Sequence, residues 1–192
     1  MNFFNQNPYF IAEVGVNHGC NFDTAIKQIN LVKKSKCDCV KFQFYKAESL
    51  VIKNSPSYWD LKEEKITSQF KLFKKFDSFD VNQMIELSKY SKNKDLDFSC
   101  SVFDLDNFET LQHYLDFIKI ASADLTFYDL LKAAAKSKKP VVISTGACNI
   151  EEIQFAISTL EKFRAKEIVI LHCILQYPTP IHQINLNKIS YL

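Results

Sequence analysis

Six short apolar segments separated by helical patterns constrain the fold more than any other feature of the 192 residues. The clearest case is the stretch from Asp116 to Gly146, in which FIKIA and PVVIS flank a helical pattern with Leu130, Leu131 and Ala134 on one face. Strand, helix and strand in this order form a βαβ unit, whose strands must be parallel. The predicted strands cover about residues 9–15, 38–44, 97–103, 117–121, 140–145 and 167–173. This alternation predicts an α/β fold with a parallel sheet.

The helical patterns between the strands have apolar faces and capping side chains. Asn21 or Asp23 can cap the helix after the first strand, and Asn149 with Glu152 forms a capping box after the fifth. The side chains expected to face inward are Ile26, Ile29 and Val32 after the first strand, Leu105, Phe108, Leu111 and Leu115 after the third, and Ile153, Ala156, Ile157 and Leu160 after the fifth.

One connection is much longer than the others. About fifty residues separate the second and third strands, ending in a helix with Met84, Ile85 and Leu87 inward. Connections of this length are commonly functional. The aromatic residues Tyr58, Trp59 and Phe70 could therefore close over a site, and the alternative is an aromatic cluster packed on the surface.

Composition and charge exclude several classes of protein. The net charge is only +2 and no basic stripe is present, so we expect neither nucleic acid nor a membrane surface as a partner. No apolar run approaches about 18 residues, and we therefore expect a cytoplasmic protein. The six cysteines include no C-x-x-C pair, which indicates free thiols rather than disulfides or a metal site.

Polar residues lie within nearly every predicted strand. Lys119 interrupts an apolar strand, where an unpaired ammonium would cost several kcal/mol. Within each strand, alternation places certain residues on the same face. They are Glu13, Gly15 and Asn17 of the first strand, Lys41 and Gln43 of the second, Ser99 and Ser101 of the third, Lys119 and Ala121 of the fourth, Val142 and Ser144 of the fifth, and Ile170 and His172 of the sixth. Polar groups on so many strands favour a barrel over an open doubly wound sheet. Buried cations beside hydroxyls predict an anionic ligand.

Five motifs in the chain resemble the N-acetylneuraminate (sialic acid) synthase family, which includes legionaminic and pseudaminic acid synthases and spore-coat polysaccharide relatives. The motifs are IAEVGVNHG, CVKFQFYKAESL, KIASADLTFYDLL, KPVVISTGACNIEEIQFAI and LHCILQYPTP, in this order between about residues 9 and 192. The resemblance implies a TIM (β/α)8 barrel that condenses phosphoenolpyruvate with an N-acylated amino sugar such as N-acetylmannosamine. The products would be a nine-carbon 2-keto acid and phosphate.

The resemblance also implies a role for each motif residue. Glu13 would be the catalytic carboxylate that orients or deprotonates a water. Asp124 and Tyr177 would bind the sugar, and Asn17, His18 and Gln43 would support the residues that contact the substrate. Phosphoenolpyruvate would be bound by Lys41, Ser101, Lys119, Ser122 and Ser144. A divalent metal, Mn²⁺ or Mg²⁺, would assist in the complete enzyme, which we expect to be a homodimer.

The chain departs from the family pattern in three ways. Ser101 lies in CSVF where the family often has STPF, and Leu175 replaces an Asn or Ser two residues before the tyrosine of YPTP. The chain also ends after about six βα units of the eight that a barrel needs. We therefore expect residues 1–192 to be the N-terminal part of the barrel, with the last two units, the metal ligands and the C-terminal antifreeze-like domain absent.

The sequence leaves three functions open. The first is a synthase fragment that is inactive or nearly inactive by itself. The second is a pyruvate aldolase barrel in which Lys41 or Lys119 forms a Schiff base. The third is a non-catalytic remnant or a subunit encoded by a split gene.

Overall fold

The computed structural model describes residues 8–176 and 178–192, so Tyr177 lies outside the described residues. The described part divides into two compact units, one ending at Leu115 and the other beginning at Asp116. Each unit contains a three-stranded parallel sheet covered by its own helices. These sheets confirm the predicted α/β class and the parallel direction of the strands.

The N-terminal unit contains the first three strands. In chain order its elements are β1 (Ile11–Gly15), α1 (Phe22–Lys34), β2 (Cys39–Phe44), α2 (Ala47–Leu50), α3 (Gln69–Lys75), α4 (Val81–Lys92), β3 (Asp97–Val102) and α5 (Leu105–Leu111). The sheet order is β1-β2-β3. Its core includes Phe42 and Phe98, whose rings stack at 5.5 Å, together with Ile29, Met84 and Leu87.

The C-terminal unit contains the other three strands. Its elements are β4 (Ile118–Ile120), α6 (Tyr128–Lys136), β5 (Val141–Ser144), α7 (Ile150–Lys162) and β6 (Ile168–Leu171), with short 3₁₀ turns at Ser122–Asp124, Ile181–Gln183 and Leu186–Ser190. The sheet order is β4-β5-β6. The predicted inward residues Leu130, Leu131 and Ala134 are all buried.

The predicted caps are confirmed, and most of the side chains predicted to face inward are buried. Asn21 accepts a hydrogen bond from the Thr24 amide, and Asn149 and Glu152 form a complete capping box. By contrast, the side chains of three isoleucines predicted to face inward are only half-buried, at positions 26, 85 and 157. The buried residues Ala25 and Ala156 lie next to two of these isoleucines in the sequence, and the buried Ser88 lies one turn after the third. Small side chains let a helix backbone approach its neighbour closely, and the isoleucines then lie at the edge of the contact.

The register of the C-terminal sheet corrects the face predicted for the sixth strand. Lys119 pairs with Val142, which pairs with Val169, and Ser144 pairs with Leu171. Paired residues on parallel strands share a face, so Val169 and Leu171 lie on the face of Ser144. The assignment of Ile170 and His172 to that face was wrong, because the periodicity of a single strand does not fix its register against the neighbouring strand.

The long connection after β2 is fixed at its base by one lysine. Lys46 Nζ donates to the backbone carbonyls of Asp77 and Phe79, each at 2.7 Å, and the Ala47 amide donates to the Asp77 carboxylate. Within the connection, the Trp59 indole donates to the carbonyls of Glu64 and Ile66. Tyr58 contacts Trp59 edge to face and is mostly exposed. The connection is therefore packed by contacts within itself. The closure of its aromatic residues over a site stays a prediction.

In the part of the chain that the structure describes, no helix has the length and apolar character needed to cross a membrane.

The C-terminus of α7 generates the first testable prediction. Arg164 adopts a left-handed conformation with φ of 59°, and the Ala165 amide bonds the Leu160 carbonyl in a Schellman arrangement. A Cβ in this conformation costs about 1 kcal/mol that glycine does not incur. We expect Arg164→Gly to raise the free energy of unfolding by about 1 kcal/mol, which thermal denaturation would show as a rise of about 2–4 °C in Tm.

The control for this prediction is Arg164→Ala. This variant removes the same exposed side chain but keeps the Cβ, so it should leave the Tm close to that of the parent chain. An equal rise in both variants would attribute the effect to lost charge and would contradict the backbone explanation.

Candidate functional site

A buried lysine organises the polar face of the N-terminal sheet. Lys41 on β2 is only 4% exposed, and its Nζ lies 2.8 Å from Glu13 Oε2 on β1 and 3.2 Å from Ser101 Oγ on β3. The strand register places Glu13 opposite Lys41 and Gln43 opposite Ser101. The structure thus brings together Glu13, Lys41 and Ser101. The carboxylate and the hydroxyl offset the cost of burying the ammonium.

Gly15 ends β1 beside this cluster. Its φ is 58°, and the ladder with β2 shifts between Glu13 and Gly15. A Cβ on Gly15 would make only ordinary van der Waals contacts, 3.7 Å from Glu13 Oε1 and 3.8 Å from Gln43 Cδ, so glycine is favoured here by the positive φ and not by lack of space. The strand therefore stops at Gly15, and Asn17 lies exposed in the following turn. Its predicted place on the strand face was wrong because the shifted ladder ends the alternation.

His18 follows the same strand end but packs among aromatic rings. Its ring stacks on Phe79 at 4.3 Å and approaches Phe42 at 5.7 Å. Phe42 is adjacent to Lys41 on β2, so it points to the opposite face of the sheet. Nδ1 accepts from the Cys20 amide, and Nε2 has no hydrogen-bond partner of normal geometry in the described part of the chain. Burial lowers the pKa of His18, and the Gly15 backbone opposes this effect.

The C-terminal sheet carries a second buried lysine. Lys119 on β4 is 8% exposed, and its Nζ donates to Ser144 Oγ on β5 at 2.6 Å and to the Ile120 carbonyl at 2.7 Å. Ser122 lies in the turn after β4, where its Oγ accepts from the Gly146 amide at 3.0 Å. The hydrogen bond between Lys119 and Ser144 thus connects β4 to β5, and the hydrogen bond between Ser122 and Gly146 connects the segments that follow these two strands.

Asp124 closes the turn that begins at Ser122. Its side chain is half-buried, and this burial raises the pKa of its carboxyl group to about 6, although the positive charge of Lys119 acts in the opposite direction. Below about pH 6 the carboxyl group is therefore protonated, and it can then donate as well as accept hydrogen bonds.

Gly146 is a site residue that was not predicted from the sequence. A Cβ built on it would lie 3.1 Å from Ser122 Oγ and 3.2 Å from the Leu175 amide nitrogen. A larger residue would therefore displace the segment after β6 or the serine. Its signal in the sequence is the glycine of the motif ISTG, which lies just after the fifth strand.

The described residues offer no metal centre of their own. They include no group of three or more His, Cys, Asp or Glu side chains that could hold an ion. The six cysteines are free thiols. His172 Nε2 lies 2.7 Å from the Ile184 carbonyl. The divalent metal implied by the sequence stays a prediction, and no chemical step is assigned to it.

Comparison with known proteins identifies the family. A model of the NeuB family matches residues 28–192. The chain belongs to the NeuB family. It is 36% identical over 188 residues to an uncharacterized protein of Methanocaldococcus jannaschii, covering 97% of this chain and 52% of that protein. It is 34% identical over 192 residues to the N,N'-diacetyllegionaminic acid synthase of Campylobacter jejuni, covering 97% of this chain and 57% of that protein.

A solved structure of a NeuB family relative has the same fold. The N-acetylneuraminic acid synthetase of Leptospira borgpetersenii, determined in complex with citrate, superposes with a TM-score of 0.82 at 31% identity. The match covers 96% of this chain and 61% of the Leptospira chain. The chain therefore spans about half to three-fifths of the length of the relatives that it matches.

The burial of His18 predicts an acid-dependent loss of stability. A lowered pKa means that the folded chain keeps this ring neutral while the unfolded chain binds a proton near the ordinary value of 6.5. Above about pH 6.5 the ring of His18 therefore does not lower the free energy of unfolding. Below that pH the free energy of unfolding falls, by up to about 1.4 kcal/mol per pH unit. We expect His18→Gln to flatten this dependence in denaturant titrations between pH 7 and pH 5.

The matched control is His182→Gln, which replaces an exposed histidine. This variant should keep the slope of the parent chain. If the His18→Gln chain lost stability as steeply as the parent, another group would be responsible and the assignment to His18 would be refuted.

Proposed function

We propose that this chain is part of a synthase that condenses phosphoenolpyruvate with an N-acylated amino sugar to give a nine-carbon 2-keto acid and phosphate. The observation that carries the proposal is a buried lysine hydrogen-bonded to a serine in each unit, Lys41 with Ser101 and Lys119 with Ser144. Membership of a family whose named relatives are synthases supports it. The citrate complex of the Leptospira relative shows that a polyanion binds to that protein.

The direction of the serine hydrogen bonds suits an anionic substrate. Ser101 and Ser144 each accept from a lysine ammonium, and Ser122 accepts from the Gly146 amide. A hydroxyl that accepts in this way keeps its own hydrogen for another acceptor. Phosphate and carboxylate oxygens are such acceptors, and nearby cations strengthen the bonds. We propose that phosphoenolpyruvate is bound by Lys41, Ser101, Lys119, Ser122 and Ser144.

Glu13 is proposed as the carboxylate that handles water. Its side chain is half-exposed while Lys41 beside it is buried, so solvent reaches the carboxylate and the ammonium fixes its position. In the reaction, the enol carbon C3 bonds to the aldehyde carbon, whose oxygen takes up a proton. Water then bonds to C2 and gives a proton to Glu13. The bond from C2 to the phosphate oxygen then breaks, and the C2 hydroxyl gives its proton to the departing phosphate and becomes the ketone. Glu13 releases its proton to solvent, which balances the proton that the aldehyde oxygen took up.

The sugar is assigned to the C-terminal unit. We propose that Asp124 holds its hydroxyl groups, a role suited to a carboxyl group whose pKa is about 6. Tyr177, which lies outside the described residues, is proposed for the same role by its place in the motif. We propose that Gln43, near Glu13, donates a hydrogen bond to a residue that contacts the substrate. His18 is not assigned this role, because its ring packs against Phe79 and Phe42.

The larger assembly is also part of the proposal. The six strands would contribute six βα units to a (β/α)8 barrel, and the remaining units, the metal ligands and an antifreeze-like domain would lie outside residues 1–192. The complete protein would be a cytoplasmic homodimer. By this proposal the 192-residue chain by itself binds phosphoenolpyruvate but does not complete the reaction.

Phosphoenolpyruvate binding to the 192-residue chain tests the assignment of the two lysines. Calorimetry should detect binding, and Lys41→Met and Lys119→Met should each weaken it about tenfold to a hundredfold, because each removes a charged hydrogen bond. Ser101→Ala and Ser144→Ala are milder variants that keep both lysines and should weaken binding about threefold to tenfold.

The controls are Lys65→Met in the N-terminal unit and Lys166→Met in the C-terminal unit, which change exposed lysines and the net charge equally. Both should bind as the parent chain does. If only one of the two buried lysines mattered, the assignment of both clusters to one substrate would be wrong.

The condensation itself is tested with the protein purified at its native length from its natural source. With N-acetylmannosamine, phosphoenolpyruvate and Mn²⁺, we expect phosphate release and a 2-keto acid of the corresponding mass. Borohydride added with pyruvate should leave the protein mass unchanged, because no Schiff base forms. Phosphoenolpyruvate binding without any product would instead indicate a non-catalytic remnant, and the synthase proposal would fail.

A further inference from the structure

Two basic segments of the C-terminal unit meet on its helical surface. The whole net charge of +2 belongs to this unit, because residues 1–115 contain fifteen basic and fifteen acidic residues, whereas residues 116–192 contain nine and seven. Seven of those nine basic residues lie within residues 132–139 and 162–166, near the C-terminal ends of α6 and α7. These two helices pack against each other. The fold therefore joins two separate segments into one basic surface, although the sequence itself contains no basic stripe.

Aromatic side chains lie within this basic surface. The ring of Tyr128 in α6 lies 6.4 Å from the ring of Phe155 in α7 and 6.0 Å from that of Phe163, measured between ring centroids. Tyr128 is 38% exposed and Phe155 is 42% exposed. A partner that covered these rings would bury apolar surface, which is favourable.

Three ammonium groups converge on the ring of Phe163. The Nζ atoms of Lys132, Lys136 and Lys162 lie 5.7, 5.9 and 5.6 Å from its centroid. None of these lysines forms an ion pair with another described residue. The ring attracts each ammonium, and the C-terminus of a helix favours positive charge, but the three ammonium groups repel one another. A carboxylate placed among them would be attracted by all three.

We propose that this surface binds an acidic segment of another polypeptide. The basic-aromatic surface consists of Tyr128, Lys132, Lys136, Phe155, Lys162 and Phe163. Its rings would pack against an apolar side chain of the partner while its lysines bind carboxylates, and an apolar centre with a charged rim is common in protein interfaces. Lys132 and Lys136 lie one turn apart along α6, so a partner helix with carboxylates one turn apart can contact both.

The geometry favours a polypeptide over other polyanions. Single-stranded nucleic acid needs open ring faces on which bases can stack, and ammonium groups lie over the ring of Phe163. An anionic membrane needs apolar side chains that enter the lipid, whereas Tyr128 and Phe155 are each more than half buried and contact each other. An acidic polypeptide segment needs neither feature, because it can lie along the surface of the two helices.

Binding of a synthetic helical peptide to the 192-residue chain tests the proposal, with fluorescence anisotropy as the measurement. The acidic peptide is alanine-based, with glutamate at every fourth position and one phenylalanine beside the central glutamate. A matched peptide carries glutamine in place of each glutamate. We expect the acidic peptide to bind at least about tenfold more tightly than the glutamine peptide, and salt raised from about 0.05 M to about 0.5 M should remove most of this difference.

Variants of the chain connect peptide binding to the basic-aromatic surface. Lys136→Gln combined with Lys162→Gln should weaken binding of the acidic peptide about fivefold, because two exposed ammonium groups are lost. Phe155→Ser should weaken it about threefold, because less apolar surface is covered. The matched control is Lys27→Gln combined with Lys71→Gln, which makes the same change of charge at exposed lysines of α1 and α3 and should bind as the parent chain does.

Three results would overturn the proposal: no binding of the acidic peptide, equal binding of both peptides, or unchanged binding in the variants of the basic-aromatic surface. Vesicles that contain phosphatidylglycerol and a single-stranded oligonucleotide are measured with the same variants. If either of them binds through Lys136 and Lys162 more tightly than the acidic peptide does, the partner belongs to another class and the proposal is wrong. The result does not depend on phosphoenolpyruvate, whose proposed ligands lie outside this surface.

Discussion

The burial of two ammonium groups is the constraint on which the rest of the structure depends. A lysine inside a sheet is tolerable only when its hydrogen bonds are provided by neighbouring strands. In the N-terminal unit the partners of Lys41 come from the strands on either side of it, and in the C-terminal unit a partner of Lys119 comes from the adjacent strand. Parallel pairing makes this possible, because it aligns residues near the same ends of successive strands.

Burial has opposite electrostatic effects on two other groups. The ring of His18 is held between aromatic neighbours, and its pKa falls because the charged form loses water. The carboxyl group of Asp124 has its pKa raised for the same reason, since its charged form is the deprotonated one. Protonation of the histidine therefore destabilises the N-terminal unit as the pH falls, while the carboxyl group in the C-terminal unit takes up its proton at a higher pH than an exposed aspartate does.

Much of the fold and the composition of the candidate site could be predicted because short-range patterns encode them. The strand and helix order follows from apolar periodicity, and the capping box of Asn149 follows from side-chain chemistry three residues apart. Alternation predicted that Glu13, Lys41 and Ser101 lie on faces directed to a common site, and the structure adds the contacts of Lys41 with the other two. The role of Gly146 was not, because the close approach of Leu175 joins segments that are far apart in sequence.

The sequence by itself determined the α/β class, the parallel direction of the strands and the membership of a synthase family, since each depends on local periodicity or on motifs that can be read along one chain. Only the tertiary structure decided that β1 ends at Gly15, that Val169 and Leu171 share the face of Ser144, and that His18 is buried against Phe79. Register, bulges and side-chain burial are set by how neighbouring elements pack, and a shift of one residue reverses the face of every side chain in a strand without changing the sequence pattern.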